Sequence, residues 1–126
     1  MAVPQQGFYP GQAPIDAYGD GGFRFAGMSH RGSLLLLPSG IHAWAASDAA
    51  KLTMADFQQL LAERDKIEFV LLGTGTGQVF PSLAVRRGFE AAGLGLDPMS
   101  TGSAARTFNV LLAEGRKVAA ALIAVA

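Results

Sequence analysis

The sequence predicts one three-layer α/β domain, with a mixed, largely parallel central sheet, flanking helices and an N-terminal β-hairpin layer. Residues 67–72 (Ile-Glu-Phe-Val-Leu-Leu) are apolar at nearly every position, which is typical of a strand covered on both faces. Similar short apolar segments at residues 94–99 and 118–125 alternate with helical patterns, so we expect crossover connections between strands. Upstream of Ile41, alternating apolar residues indicate further strands.

The N-terminal layer is predicted from two local patterns. Residues 23–25 (Phe-Arg-Phe) alternate at the period of a half-buried strand after a Gly21-Gly22 turn. Ser33–Leu37 contains a leucine run that Pro-Ser-Gly ends, and a second apolar run follows at residues 41–45. The two runs together predict a β-hairpin.

Three helices are predicted from apolar side chains that recur every three or four residues. Thr53 is the expected N-cap of the first, which should end near residue 64. The second begins at Ser82, and Gly93 is placed to end it in the left-handed conformation. Thr101 is the expected N-cap of the third helix, which Gly115 stops.

Composition limits the possible partners. The chain has 126 residues, half of them hydrophobic, which suffices for one core but not for two. Ten basic residues balance ten acidic ones without forming a basic stripe, which argues against a nucleic-acid partner. Cysteine is absent, so disulfides and thiolate chemistry are excluded.

The chain start predicts a flexible tail rather than a targeting segment. Residues 1–14 are rich in proline, glutamine and glycine, so we expect a tail there and the folded domain at residues 15–126. Residues 1–14 contain neither a basic segment nor an apolar run, so they do not have the pattern of a secretory signal. The apolar runs at residues 34–37 and 118–126 are under half of the ~20 residues that span a bilayer. We therefore expect no transmembrane segment and a cytoplasmic location.

The common catalytic motifs are missing from the sequence. It contains no Gly-x-Ser-x-Gly elbow, no His-Glu-x-x-His motif and no Asp-rich calcium loop. His30 lies in a predicted turn and His42 in a predicted strand, and neither has metal-ligand spacing to a partner. We therefore predict no catalytic residue, no metal site and no cofactor.

A glycine-threonine loop at residues 73–77 (Gly-Thr-Gly-Thr-Gly) joins the strand at residues 67–72 to the second helix. Backbone N–H groups at a helix N-terminus favour anions. The loop lacks the lysine of a P-loop, and Gln78 replaces the third glycine of the dinucleotide fingerprint. Its glycines have a second interpretation, as a tight exit from a buried strand with positive φ angles. Both interpretations stay open at this point.

A second strand-helix junction at residues 99–103 (Met-Ser-Thr-Gly-Ser) also carries hydroxyl groups. If its strand runs parallel to residues 67–72, both junctions lie at one sheet edge, where α/β proteins bind ligands. Arg106 is the nearest cation and is either a cleft residue or an ordinary solvated one. The candidate ligand cleft consists of Thr74, Gly75, Thr76, Thr101, Ser103, Arg106 and Asn109.

Five fragments of the sequence form a family pattern. They are Gly22-Phe23-Arg24-Phe25, Gly32-Ser33-Leu34-Leu35, Gly73-Thr74-Gly75, Met99-x-Thr101-x-x-Ala104-x-Arg106-Thr107-Phe108-Asn109-Val110-Leu111 and Glu114-Gly115-Arg116-x-Val118. Together they resemble the Mth938-like domain family, whose members include a mitochondrial complex I assembly factor and the adipogenesis-associated Mth938-domain protein of animals. The resemblance extends from Ile15 to the C-terminus.

The resemblance implies a three-layer α/β fold with a mixed sheet and no established catalytic residue or cofactor, so it argues against an enzyme. The family pattern implies a cysteine in many members at the position where this chain has Ala105, so a thiol role there is excluded for this chain. The first hypothesis is a non-catalytic binding or assembly module with protein partners, accessory to a respiratory or other membrane complex. The alternative is a small-molecule or anion-binding protein, or an enzyme, that uses residues 73–77 and 101–106. A homo-oligomer formed through an exposed strand or apolar face is the third possibility.

Overall fold

The fold is built on a six-stranded mixed sheet within the part of the chain that the structure, a computed structural model, describes, residues 7–126. The strands in chain order are β1 (Phe8–Pro10), β2 (Ala17–Gly19), β3 (Gly22–Phe25), β4 (Met28–Arg31), β5 (Ser33–Leu37), β6 (Gly40–Trp44), β7 (Phe69–Gly73), β8 (Gly95–Met99) and β9 (Val118–Leu122). The central sheet has the order β1-β6-β5-β9-β7-β8. Strand β7 is parallel to β8 and β9, and the other neighbours are antiparallel. The predicted mixed sheet is confirmed, but the prediction that it is largely parallel was wrong, since three of its five strand pairs in the described residues are antiparallel.

Among residues 7–126, three α-helices accompany these strands: α1 (Gln58–Leu61), α2 (Leu83–Ala91) and α3 (Thr101–Ala113). The first predicted helix is short because its opening turn, Met54–Phe57, is a 3-10 turn that changes to α only after Phe57. Thr53 caps that turn through a reciprocal capping box with Asp56. None of the helices in the described residues is long and apolar enough to cross a membrane.

The ends of α2 and α3 follow local capping chemistry. Ser82 caps α2, and Ser100 caps α3 by accepting a hydrogen bond from the N–H of Ser103 at 3.3 Å. The prediction that Thr101 is the cap was wrong, since Thr101 is the first helical residue. Gly93 and Gly115 follow the two helices with φ angles of +73° and +74°, as predicted.

Side chains on opposite faces of the central sheet form two separate cores. On β9, Val118, Ala120 and Leu122 belong to the core shared with α3 and the small sheet β2-β3-β4. Ala119 and Ala121 belong to the core that α1 and α2 cover. The three predicted layers are therefore confirmed, but the hairpin of β5 and β6 belongs to the central sheet, and the separate N-terminal layer is the sheet β2-β3-β4. Each fully buried leucine or phenylalanine contributes about 1.5–3 kcal/mol.

The small antiparallel sheet depends on two tight turns with positive φ. Asp20-Gly21 has φ angles of 51° and 78°, and Ala26-Gly27 has 51° and 74°, which matches the primed turns that suit a twisted hairpin. The predicted Gly21-Gly22 turn is therefore displaced by one residue, because Gly22 already belongs to β3. His30, predicted to lie in a turn, belongs to β4.

The predicted N-terminal tail overlaps the central sheet. Residues 1–6 lie outside the described residues, and the tail stays a prediction for them. Phe8–Pro10 pairs with β6, opposite Ile41 at Tyr9. Tyr9 is 5% exposed and packs edge-on against Phe25 at 5.0 Å between ring centroids. This aromatic anchor places an ordered strand inside a segment whose composition predicted none.

Candidate functional site

The glycine-threonine loop is joined directly to the start of α3. Because β7 and β8 are parallel, both strand-helix junctions lie at one sheet edge, as the sequence predicted. The Thr74 N–H donates to the carbonyl oxygen of Met99 at 2.8 Å. The Thr101 N–H donates to the carbonyl oxygen of Gly75 at 2.8 Å. The two junctions therefore touch, and no open cleft separates them at these residues.

The Thr101 hydroxyl is a buried tether between three elements. Its side chain is fully buried, and Oγ1 donates to the carbonyl oxygen of Ile123 at 2.7 Å. The same oxygen accepts a hydrogen bond from the N–H of Gly75 at 3.0 Å. The single donor of the hydroxyl is used inside the protein, and because Thr101 is fully buried its remaining lone pair is out of reach of a ligand at the surface.

The Thr74 hydroxyl is likewise turned inward. Thr74 is 6% exposed, and its Oγ1 accepts a hydrogen bond from the N–H of Val79 at 3.0 Å. The carbonyl oxygens of Gly77 and Met99 lie within hydrogen-bonding distance of the same hydroxyl. Of the predicted loop hydroxyls, only that of Thr76 is exposed.

The three loop glycines differ in whether the structure requires glycine at their positions. A Cβ at Gly73 would lie 2.9 Å from Leu122 Cδ2 and 3.0 Å from Thr101 Cα, so α3 packs too close for a side chain. Gly75 has a φ angle of +108°, which favours glycine. Gly77 has neither constraint. The tight-exit interpretation is therefore sufficient for Gly73 and Gly75.

The loop is not a helix N-terminus, contrary to the anion-site interpretation. Helix α2 begins at Leu83, and its N-cap is Ser82, five residues beyond Gly77. Residues 78–82 are extended or irregular, and the Gln78 side chain donates to the carbonyl oxygen of Pro98 at 2.8 Å. The amides of residues 73–77 therefore have no helix dipole behind them.

The remaining predicted residues belong to a neighbouring groove or its rim. A groove of about 310 Å³ lies between α3 and the segment 15–18, and Arg106 and Asn109 line it. Asn109 exchanges two hydrogen bonds of 2.8 Å with the backbone of Ile15, so it holds the groove wall in place. Ser103 lies beside Arg106, and the Ser103 Oγ is 3.5 Å from the Arg106 Nη2. The structure thus separates the predicted set into a closed junction and this groove.

Both histidines are built into hydrogen-bonded contacts. His30 Nδ1 lies 3.2 Å from the Tyr9 hydroxyl, and burial lowers the pKa of His30. His42 bonds through Nε2 to the Ser39 hydroxyl at 2.8 Å, and burial lowers the pKa of His42 against an opposing effect of Glu63. Within residues 7–126, no cluster of three or more His, Cys, Asp or Glu side chains is arranged to hold a metal.

An exposed apolar surface directly after the loop was not predicted. Val79 is 37% exposed, Phe80 68% and Leu83 50%, and together they form what is here called the Phe80 surface. Arg86 and Arg87 are exposed one turn further along α2, on the side of Leu83. Alternation and helical periodicity give no signal for residues 78–82, which belong to neither kind of element.

Comparison with known proteins places this chain beside several relatives. A family model described as protein of unknown function (DUF498/DUF598) matches residues 15–123. Over 94% of its length the chain is 32% identical to NADH dehydrogenase (ubiquinone) 1 alpha subcomplex assembly factor 3 of Mus musculus, and it spans 64% of that protein.

Two solved structures are similar over most of the chain. An outer membrane protein from Bartonella henselae matches with a TM-score of 0.89 and 50% identity, covering 94% of this chain and 99% of that one. A Bordetella pertussis protein described as a Mth938-like domain matches with a TM-score of 0.76 and 28% identity, covering 89% and 85% respectively.

Proposed function

Since this chain belongs to the DUF498/DUF598 family of proteins of unknown function, we propose that it is a small non-catalytic module that binds a protein partner during assembly of a larger complex. The predicted resemblance to Mth938-like domains is confirmed. The observation that carries the proposal is the similarity to assembly factor 3, which extends over nearly the whole chain. The name of that relative, an assembly factor, implies that it has protein partners. For this chain, we propose a respiratory or other membrane complex as the assembly that it serves.

The junction geometry supports a binding module over an enzyme. The hydroxyls of Thr74 and Thr101 are the buried polar groups nearest the expected ligand edge, and both are held by backbone groups. A nucleophile needs a free hydroxyl beside a general base. No histidine or carboxylate bonds to either hydroxyl among the described residues.

The Phe80 surface is the proposed docking site for the partner. Exposed aromatic and arginine side chains are enriched among the residues that dominate binding energy at interfaces. Among the exposed residues of α2, two arginines, Arg86 and Arg87, outnumber the single carboxylate, Glu90, so the helix surface has a net positive charge. The charge and apolar character together favour a partner segment with apolar side chains flanked by carboxylates.

The test uses the full chain, expressed with an affinity tag in the host cell, and quantitative mass spectrometry of the proteins that it retains. Phe80→Ser should lower retention of the partner at least tenfold, since truncating a dominant interface anchor costs about 2 kcal/mol or more, which is about 30-fold in affinity. Val110→Ser is the matched control, because Val110 is 57% exposed on a different element, α3. Its retention should equal that of the unchanged chain.

The outcomes of this experiment test the partner-binding function and the docking site separately. Loss of the same proteins with Phe80→Ser, but not with Val110→Ser, supports both the function and the docking site. Equal retention by both variants contradicts the docking site. Absence of any protein enriched over an untagged control contradicts the partner-binding function itself. Thermal unfolding of both variants should match the unchanged chain, since both side chains are largely exposed.

The rival proposal keeps a small-molecule or anion site, now reduced to the groove beside Arg106. The groove volume of about 310 Å³ suits a small ligand. Titrating phosphates and carboxylates into the labelled chain tests it by NMR. Shifts confined to the amides around Arg106 and Asn109 would favour it, and unchanged amides there would exclude it.

Location and oligomeric state stay predictions. The cytoplasmic location was inferred from the sequence alone, and one similar structure is described as an outer membrane protein. Self-association through a sheet edge is disfavoured, since β8 carries Asp97 and Pro98 and β1 carries Pro10. Light scattering of the purified chain tests for a homo-oligomer formed through the Phe80 surface instead.

A further inference from the structure

The outer face of the small sheet carries two arginines side by side. In the register of β3 and β4, Arg24 is opposite Ser29, and Arg31 is opposite Gly22. Arg24 and Arg31 are therefore diagonal neighbours on one face, with Cα atoms about 7–8 Å apart. The other face carries Phe23 and Phe25, which are buried against the core. Both arginines are exposed.

A depression of about 350 Å³ lies between these arginines. It is lined by both of them, by Ser29 and by the small residues Gly19 and Gly22. Gly22 adds no side chain to this depression, and a Cβ there would collide with the carbonyl oxygen of His30. A larger residue at position 22 is therefore not tolerated next to the two arginines.

The two guanidinium groups have few partners in the described residues. The ion pair found there joins Arg116 to Glu68, so it involves neither Arg24 nor Arg31. Arg31 Nη1 donates to the carbonyl oxygen of Asp20 at 3.4 Å, which leaves most of its N–H donors unused. The two arginines and the Asp20 carboxylate at the rim together give the depression a formal charge of +1.

We infer that this face binds a phosphate group, held by Arg24 and Arg31 with the Ser29 hydroxyl as a further donor. Two forked guanidinium groups match the geometry of phosphate oxygens and bind them through paired hydrogen bonds. The Asp20 carboxylate selects against a bare polyanion and favours a phosphate ester with a hydroxyl or ammonium group beside the phosphate. A soluble phosphate ester and a phospholipid headgroup share this chemistry. The inference is independent of the proposed partner site, which lies on α2.

The test titrates O-phosphoethanolamine into the ¹⁵N-labelled full chain at constant ionic strength and follows the amide signals. Saturable shifts are expected at Gly22, Arg24, Ser29 and Arg31. Arg24→Gln and Arg31→Gln should each weaken the apparent affinity at least tenfold. Arg64→Gln is the matched control, an exposed arginine in the 3-10 turn Arg64–Lys66 outside both proposed sites, and should leave the affinity unchanged.

A second arm measures cosedimentation with phosphatidylethanolamine and phosphatidylglycerol vesicles. Binding to vesicles that Arg24→Gln abolishes, without shifts from the soluble ester, identifies a lipid headgroup as the source. Saturable shifts from the ester identify a soluble ligand. The inference is overturned if neither probe acts on this face, if potassium chloride alone produces the same shifts, or if the arginine variants bind as the unchanged chain does.

Discussion

Replacing Thr101 by valine tests whether one buried hydroxyl ties the glycine loop to the sheet and to α3. Valine keeps the shape of the side chain but removes Oγ1, which bonds to the Ile123 carbonyl oxygen and the Gly75 N–H. The Ile123 carbonyl then lies buried without this partner, at a cost of about 1–3 kcal/mol. Gly75 is half-exposed, so water can accept a hydrogen bond from its N–H in place of the Thr101 hydroxyl, which offsets part of that loss. The total expected loss is about 2–3 kcal/mol.

The assay is urea unfolding followed by circular dichroism, in which Thr101→Val should lower the midpoint by about 1–2 M. Thr107→Val is the matched control: Thr107 lies on the same helix, is half-buried, and its side chain makes no hydrogen bond among the described residues. That variant should change stability by at most about 0.5 kcal/mol. The reasoning is refuted if Thr101→Val loses less than about 1 kcal/mol and hydrogen exchange of the Gly75 amide stays as slow as before.

Two further predictions concern the loop and the histidines. Gly73→Ala should destabilise the fold by about 1–3 kcal/mol, because its Cβ would meet Leu122 and the backbone of α3, whereas Gly77→Ala has open space and should be near neutral in the same unfolding assay. Burial lowers the pKa values of His30 and His42 from the ordinary 6.5, so the folded chain binds fewer protons than the unfolded chain near that pH. The free energy of unfolding should therefore be highest above about pH 6.5 and fall as the pH drops below that value. It should become constant again once the pH is below the pKa values of the folded state. A double His→Gln variant should flatten this profile between pH 5.5 and 7.5, and an unchanged profile would contradict the assignment.

Much of the architecture was predictable because its signals are local. The continuous apolar run of β7 and the periodicity of α2 and α3 are each contained within about ten residues. The hairpin of β5 and β6 has its turn residues beside its strands. The sequence pattern did not predict strands β1, β2 and β4, each of three or four residues. Strand β1 pairs with the distant β6, whereas β2 and β4 pair with their neighbour β3 but carry few buried apolar residues. In β1, Tyr9 packs on Phe25 across two sheets.

The candidate site was predictable in position but not in orientation. The rule that parallel strands end at one edge correctly brought Thr74 and Thr101 together. The sequence does not show which way a hydroxyl points, and both point to backbone groups. The sequence predicts Thr101 as the N-cap because threonine is a common N-cap residue. The adjacent Ser100 holds that position instead, and this shift of one residue moves Thr101 from the helix end into the core.

Hydrogen bonds from the glycine-threonine loop and the β8 strand hold the backbone that leads to the Phe80 surface. The Thr74 hydroxyl accepts a hydrogen bond from the N–H of Val79, and the Gln78 side chain donates one to the carbonyl oxygen of Pro98. The backbone leading to Phe80 is therefore fixed at two points. An exposed aromatic side chain on a fixed backbone loses less conformational entropy on binding than one on a mobile loop. If a partner docks on the Phe80 surface, the loop therefore contributes to affinity without touching the partner. Removing the Thr74 hydroxyl would then weaken partner retention even though Thr74 itself is buried.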